Sequence, residues 1–226
     1  MEAVAYAGEM QIRCIAFVLA LALSASCESP PQPETRWSND AALEPDFIGH
    51  SDAGIHFPEK LAGFKRGELK NYDDEGRNLS AAYNRIGFGK LIALTIYIYP
   101  APSLTSIGSP RDVVESALRY QLDREFESVE SNLLDAHPGS EALTDFDLEM
   151  LFAGETLSGR RGMYSTPNGM GQRGLSAISS FELYRFGNWW MKLRITYPQD
   201  MQSRCEGAID KFRSEFAGAN PPALED

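Results

Sequence analysis

The chain has 226 residues, and its 21 Lys and Arg against 32 Asp and Glu leave a net charge of −11. Such a surface repels phosphate backbones and anionic headgroups, and no basic stripe with interleaved aromatics offsets it, which argues against nucleic-acid binding. Its three cysteines show neither a CxxC nor a zinc-ligand spacing. A domain of this size buries about 70% of its unfolded surface and needs no such staple.

The N-terminal segment speaks of location. Arg13 precedes an apolar run from Cys14 to Leu23, followed by Ser24-Ala25-Ser26, Cys27 and the stretch Glu28-Ser29-Pro30-Pro31-Gln32-Pro33. This is the order of an export signal: a basic n-region, an h-region, a small-residue cleavage zone and an extended tether. The run is shorter than the roughly 20 apolar residues that span a bilayer. Residues 1–26 are therefore expected to be an export signal, and 27–45 a tether. Glu2 and Glu9 are wrong for an n-region, which points to Met10 as the true start; a long, tolerated n-region is the alternative. Cleavage after Ser26 has two readings. Ser24 and Ser26 suit an ordinary signal peptidase. The stretch also resembles a bacterial lipoprotein signal, which implies lipidation of Cys27, although Ser24 stands where that family prefers leucine.

The folded part is expected over residues 46–218, with 219–226 a frayed tail. Ile55-His56-Phe57-Pro58 reads as a short strand stopped by proline. Leu61-Ala62-Gly63-Phe64 leads into a strand over 65–72, and Asp73-Asp74-Glu75-Gly76 is a turn. Strands follow over 79–86 and 91–99. In the latter, Ile92, Leu94, Ile96 and Ile98 alternate with Ala93, Thr95, Tyr97 and Tyr99, so both sets can be buried and the strand is expected to be central. Ser109-Pro110 opens a helix whose Val114, Leu118, Leu122, Phe126, Val129 and Leu133 form one stripe, ended by His137-Pro138-Gly139. Segments 146–156 and 160–166 read as strands. Segments 175–185 and 189–197 form a hairpin. A last helix carries Met201, Cys205, Ala208, Ile209, Phe212 and Phe216 on one side, with Cys205 expected to be a buried, inert thiol.

Two registers compete in that hairpin. A two-residue Gly187-Asn188 turn pairs Phe186 with Trp189 and sets Glu182 against Leu193 and Phe181 against Arg194. A loop one residue longer pairs Arg185 with Trp189. It gathers Phe181, Leu183, Met191, Leu193 and Ile195 on one face, with Lys192 and Arg194 towards solvent or the edge of the second helix. Since one slip moves a whole apolar set, burial is expected to select the longer loop.

Consecutive strands, a long helix, more strands and another long helix describe an α+β fold. An antiparallel sheet with two long helices packed on it, an α/β/α sandwich, is expected. The succession Phe57-Pro58, Gly63-Phe64, two central strands, a long helix, a second meander ending in Trp189-Trp190-Met191-Lys192-Leu193 and a C-terminal helix resembles the PsbP/DcrB-like α/β/α sandwich. It is also similar to exported bacterial proteins with a Phe-Pro…Gly-Phe opening and a Tyr-x-Tyr strand. The resemblance implies a non-catalytic accessory or binding protein.

Motifs of chemistry are few. Gly169-Met170-Gly171-Gln172-Arg173-Gly174 matches GxGxxG, but Leu175 onward alternates like a strand instead of opening a helix, so a loop is expected and no cofactor. Gly49-His50-Ser51-Asp52-Ala53-Gly54 lacks the last glycine and the helix of a nucleophile elbow. Asp145, Asp147 and Glu149 share one face of a strand. They read as the solvated side of an edge, or as oxygens for a cation or acid–base work. His50, His56 and His137 lie far apart, and no metal site is expected. Arg160, Arg161 and Arg173 flank a Gly-rich stretch, residues 159–174, read as a mobile basic loop. They are the candidate contact for an anion or partner. Together these features lead to the expectation of an exported module, periplasmic or tethered to the envelope membrane through a lipid on Cys27, that binds a protein or small ligand without catalysis. The alternative is an envelope hydrolase using the carboxylates at Asp145–Glu149.

Overall fold

The period-two segments become strands of an antiparallel sheet. The computed structural model describes residues 48–87, 90–104, 109–167 and 176–222, all within the unit Trp37–Asp226. Strands β1 (Gly49–His50) and β2 (Ile55–His56) form a small ribbon. Then come β3 (Lys60–Leu61), β4 (Phe64–Asn71), β5 (Leu79–Gly87), β6 (Lys90–Pro100) and helix α1 (Arg111–Ala136). A second meander follows: β7 (Glu141–Phe152), β8 (Glu155–Thr166), β9 (Ala177–Phe186) and β10 (Trp189–Pro198). A 3-10 turn over Gln199–Met201 leads into α2 (Gln202–Gly218). The main sheet has eight strands in the order β3-β4-β5-β6-β10-β9-β8-β7. β6 and β10 thus join two meanders edge to edge, and β6 is central, as its double alternation predicts.

A helix lies on each face. Cys205, Ile209, Phe212 and Phe216 of α2 pack with Phe57, Phe64, Tyr83, Ile96 and Leu193. Phe212 meets the Phe64 and Tyr83 rings edge-on at 5.2 and 5.0 Å between centroids, the geometry that ring quadrupoles favour. On the other face Leu122, Phe126, Val129 and Leu133 of α1 pack with Tyr164, Phe181, Leu183 and Trp190. The α+β sandwich expected from the sequence is therefore the fold. The first turns of α1 run past the sheet: Val114 and Leu118, expected in the buried stripe, are only half-buried, and Val113 and Tyr120 are exposed. Pro110 stands at the helix cap without a capping side chain. Cys205 is buried and unpaired, and burial pushes its thiol pKa up, as an inert thiol requires. No helix among the described residues is long and apolar enough to cross a membrane.

Three expectations need correction. The strand expected over 146–156 instead ends at Phe152 and turns at Ala153-Gly154, whose φ values of 49° and 80° fit a two-residue hairpin turn. Residues 160–166 form a strand as expected, part of β8 and paired on both sides, so the mobile loop expected over 159–174 does not include 159–166. The start of the tail is also ordered: the buried Asn220 accepts from the His56 N–H at 2.6 Å and donates to the His56 and Phe216 carbonyls at 3.2 and 2.8 Å. Asn220→Ala should cost about 1–3 kcal/mol by stranding these groups, read from the urea midpoint. The signal and tether, Cys27, Arg173 and the GxGxxG stretch lie outside the described residues.

The hairpin register is the fourth correction. Trp189 pairs with Phe186, Leu193 with Glu182 and Arg194 with Phe181. The two-residue turn prevails, with Gly187 at φ 56°. Burial could not decide between the registers, because this part of the sheet is covered on both faces. Phe181 and Leu183 face α1, while Met191, Leu193 and Ile195 face α2. The charges that the short turn sends inward find partners there. Glu182 meets Arg213 and Tyr184, and Arg194 meets His137.

Candidate functional site

Cross-strand pairing lines up one row of side chains over seven strands on the α1 face. It runs Lys70, Ser80, Tyr97, Lys192, Leu183, Arg160, Asp147. α1 covers the far end of this row, where Phe126 meets Phe181 in a tilted contact at 4.8 Å and sits 4.3 Å from the Arg160 guanidinium. At the other end no described helix lies on the row: Lys70 is exposed, Tyr97 and Lys192 are half-buried, and Ser80 is buried. This end forms a floor of tyrosines and cations bounded by α1 on one side.

The rings hold the cations in place. Lys70 Nζ lies 5.0 Å from the Tyr72 ring centre, and Lys192 Nζ lies 4.5 Å from Tyr97 and 5.6 Å from Tyr99. The Tyr72 and Tyr97 rings are 6.3 Å apart, and Tyr72 is 46% exposed. Tyr99 donates to Glu125 of α1 at 2.7 Å, and the Tyr72 and Ser80 hydroxyls are 3.3 Å apart. In the next row Arg194 pairs with Thr95. Its Nη2 donates to His137 Nε2 at 2.6 Å, at the C-terminal end of α1, which places the His137 proton on Nδ1. Burial lowers the His137 pKa, and the Arg194 charge adds to this. Burial also lowers the Lys192 ammonium, with Glu125 opposing and Arg194 reinforcing. Among the described residues Lys70, Lys192 and Arg194 form no carboxylate ion pair. Cation–ring contacts of this kind are worth about 0.5–1 kcal/mol at exposed sites. They hold the cations in place, and since no carboxylate ion pair offsets them among the described residues, positive charge gathers on this floor in a strongly acidic chain.

The arginines singled out from the sequence are placed otherwise. Arg160 and Arg161 are neighbours on β8 and point to opposite faces, so they form no joint patch. Arg160 binds Asp123 and Asp145. Arg161 is 4% exposed and donates to both Glu206 oxygens at 2.9 and 2.8 Å beneath α2. Asp145, Asp147 and Glu149 do share a face of edge strand β7. Asp145 is held by Arg160, and Asp147 by Arg119 at 2.8 Å, a bond that lowers the Asp147 pKa. Among the described residues no group of three or more His, Cys, Asp or Glu is placed to hold a metal ion. His50 is buried, taking the Ala53 N–H on Nδ1 and donating from Nε2 to the Arg77 carbonyl at 3.1 Å, a role in the β1–β2 ribbon.

Sequence reasoning missed the open floor. Its signal lay in the second phase of two strands, Tyr97-x-Tyr99 and Lys192-x-Arg194, which meet only because β10 pairs with β6.

No family model and no curated protein matches this sequence. Among solved structures the chain is similar to the cyanobacterial PsbP (CyanoP) of Synechocystis sp. PCC 6803. The match covers 77% of this chain and 96% of that one, at 11% identity and a TM-score of 0.42. The likeness is one of fold.

Proposed function

We propose that this chain is an exported, non-catalytic binding module of the cell envelope whose open sheet face docks a protein partner carrying an acidic patch. The observation that carries the reading is the floor of Lys70, Lys192 and Arg194, set among Tyr72, Tyr97 and Tyr99, where these cations form no carboxylate ion pair among the described residues. Tyrosine and arginine are the residues that anchor protein interfaces. The floor lies on the face of a sheet, and neither of the clefts at Lys60–Lys65 and Glu149–Gly154 includes it, whereas small-molecule sites are concave. Positive charge concentrated on one face of an acidic protein steers an acidic partner to that face and away from the rest. The apolar run after Arg13 supports export, and Cys27 after Ser26 supports a lipid tether.

Immobilised poly-L-glutamate serves as the probe. The triple variant Lys70→Gln, Lys192→Met, Arg194→Gln is expected to bind it about tenfold more weakly at low salt, with an unchanged melting temperature. Lys60→Gln, Lys65→Gln, Lys211→Gln, which removes as much positive charge at the β3–β4 end, is expected to bind as the parent does. Equal loss in both variants, or none in the first, would sink the reading.

A further inference from the structure

The sheet has two unlike edges. At one, β3 covers the start of β4 and a bulge between Arg66 and Leu69 interrupts the rest, devices that blunt an edge. At the other, β7 runs for 12 residues; its register shifts once, between Ala142 and Thr144, the pairing is regular from Thr144 to Phe152, and among the described residues its outer side bonds nothing. An edge of that length offers a row of N–H and C=O groups to another strand. Leu143, Phe146 and Leu151 are exposed along it.

A cleft of about 620 Å³ lies between β7 and the end of α2. Met150, Ala153, Ala217 and Pro222 give it apolar walls, with Ser214 and Arg213 on the helix side. Glu149 and Leu151 line it too, although on the strand they point away from the Met150 face. The cleft therefore reaches the outer edge of the backbone itself. A Cβ on Gly154 would lie 3.3 Å from Pro222, so the β7–β8 turn closes one end tightly.

We infer that this cleft takes an extended segment of a partner protein as a ninth strand, with side chains that alternate apolar and basic. Backbone bonds to β7 hold the segment, and the pockets beside the strand select its side chains, the logic of strand addition next to a helix. Side chains turned towards α2 enter the apolar cleft beside Met150. Those turned the other way stand beside Glu149, which forms no ion pair among the described residues, whereas Asp147 is already held by Arg119. A lysine or arginine there complements the Glu149 charge. A second copy is a poor occupant. A two-fold axis normal to the sheet keeps like faces together and sets one acidic row against the other.

The probe is a short fluorescent peptide of alternating lysine and valine, and the control is the same composition in two blocks. The alternating peptide is expected to bind and to slow hydrogen exchange along β7 alone. Ser214→Trp, which fills the cleft, and Glu149→Lys, which reverses its charge, should each weaken binding about tenfold. Equal binding of the block peptide, protection away from β7, no binding, or sedimentation of a dimer closed through β7 would each overturn the inference. The acidic-partner reading uses a different face and the opposite probe, so the two can fail separately.

Discussion

Replacing Arg161 by methionine is expected to lower the unfolding free energy by about 3–5 kcal/mol, the cost of breaking a buried ion pair from one side. Beneath α2, Arg161 donates twice to Glu206, and its Nε lies 3.6 Å from Glu182 Oε1. Glu182 is fully buried and takes Arg213 at 3.1 Å and the Tyr184 hydroxyl at 3.0 Å. Tyr197 adds a bond to Glu206 at 2.7 Å. Burial pushes the Glu182 pKa up, and the Arg213 and Arg161 charges pull it back only in part. A carboxyl whose folded pKa lies above its unfolded value contributes stability that is full below the unfolded pKa and is lost as pH rises through the folded one. Methionine at 161 removes one of the opposing charges and raises the Glu182 pKa further, so the penalty should be larger at pH 7 than near the ordinary carboxylate value of 4.5. Urea unfolding at the two pH values measures this. The neighbouring Arg160→Ala should cost only about 1 kcal/mol, because its ion pairs with Asp123 and Asp145 are partly exposed. Equal losses from the two arginines would refute the distinction drawn between the faces of β8.

That pair also shows where the sequence could be read and where it could not. The helical stripes at Leu122–Leu133 and Cys205–Phe216 and the alternation of Ile92 to Ile98 are local patterns, and they led directly to a sheet with a helix on each face. In β8 the pattern is broken. Gly159-Arg160-Arg161-Gly162 has neither bulk nor alternation, because one glycine lies under Tyr184, the other under Tyr164, and each arginine answers a carboxylate on a different face. Those partners are distant in sequence, so the segment supports both a strand and a loop reading until the sheet is assembled. The open floor was hidden for the same reason. Tyr97 and Tyr99 read as ordinary members of a central strand, and Lys192 and Arg194 as residues of a hairpin facing solvent or a helix edge. Only the β6–β10 pairing, across roughly 95 intervening positions, brings them into one patch. Long-range pairing of this kind leaves no periodic trace.

Gly159→Ala is expected to cost about 3 kcal/mol, the upper end of what overpacking a core entails. Alanine in a strand is ordinarily better than glycine by about 0.5–1 kcal/mol, since it has less chain entropy to lose. Here the sign reverses. A Cβ at 159 would stand 2.5 Å from Tyr184 Cδ1 and 2.7 Å from the Leu183 carbonyl oxygen. The first contact is a fully buried ring tied by its hydroxyl to Glu182, and the second is backbone of the paired strand. Neither can give way without opening the β8–β9 ladder above the ion network. Gly162→Ala meets softer neighbours, the Tyr164 hydroxyl at 2.7 Å and the tip of Phe126 at 3.0 Å. Those tips can swing aside at the expense of the Tyr164–Glu130 bond, so about 1–2 kcal/mol is expected. A Cβ on Gly207 in α2 would meet no described atom within 4 Å, and Gly207→Ala should stabilise by about 0.8–1 kcal/mol through helix propensity alone. Denaturant midpoints for the three variants should therefore fall in the order 207, 162, 159, with only the first above the parent. A Gly159→Ala protein as stable as the parent would mean that β8 does not run beneath Tyr184, and the sheet order on that side would have to be redrawn.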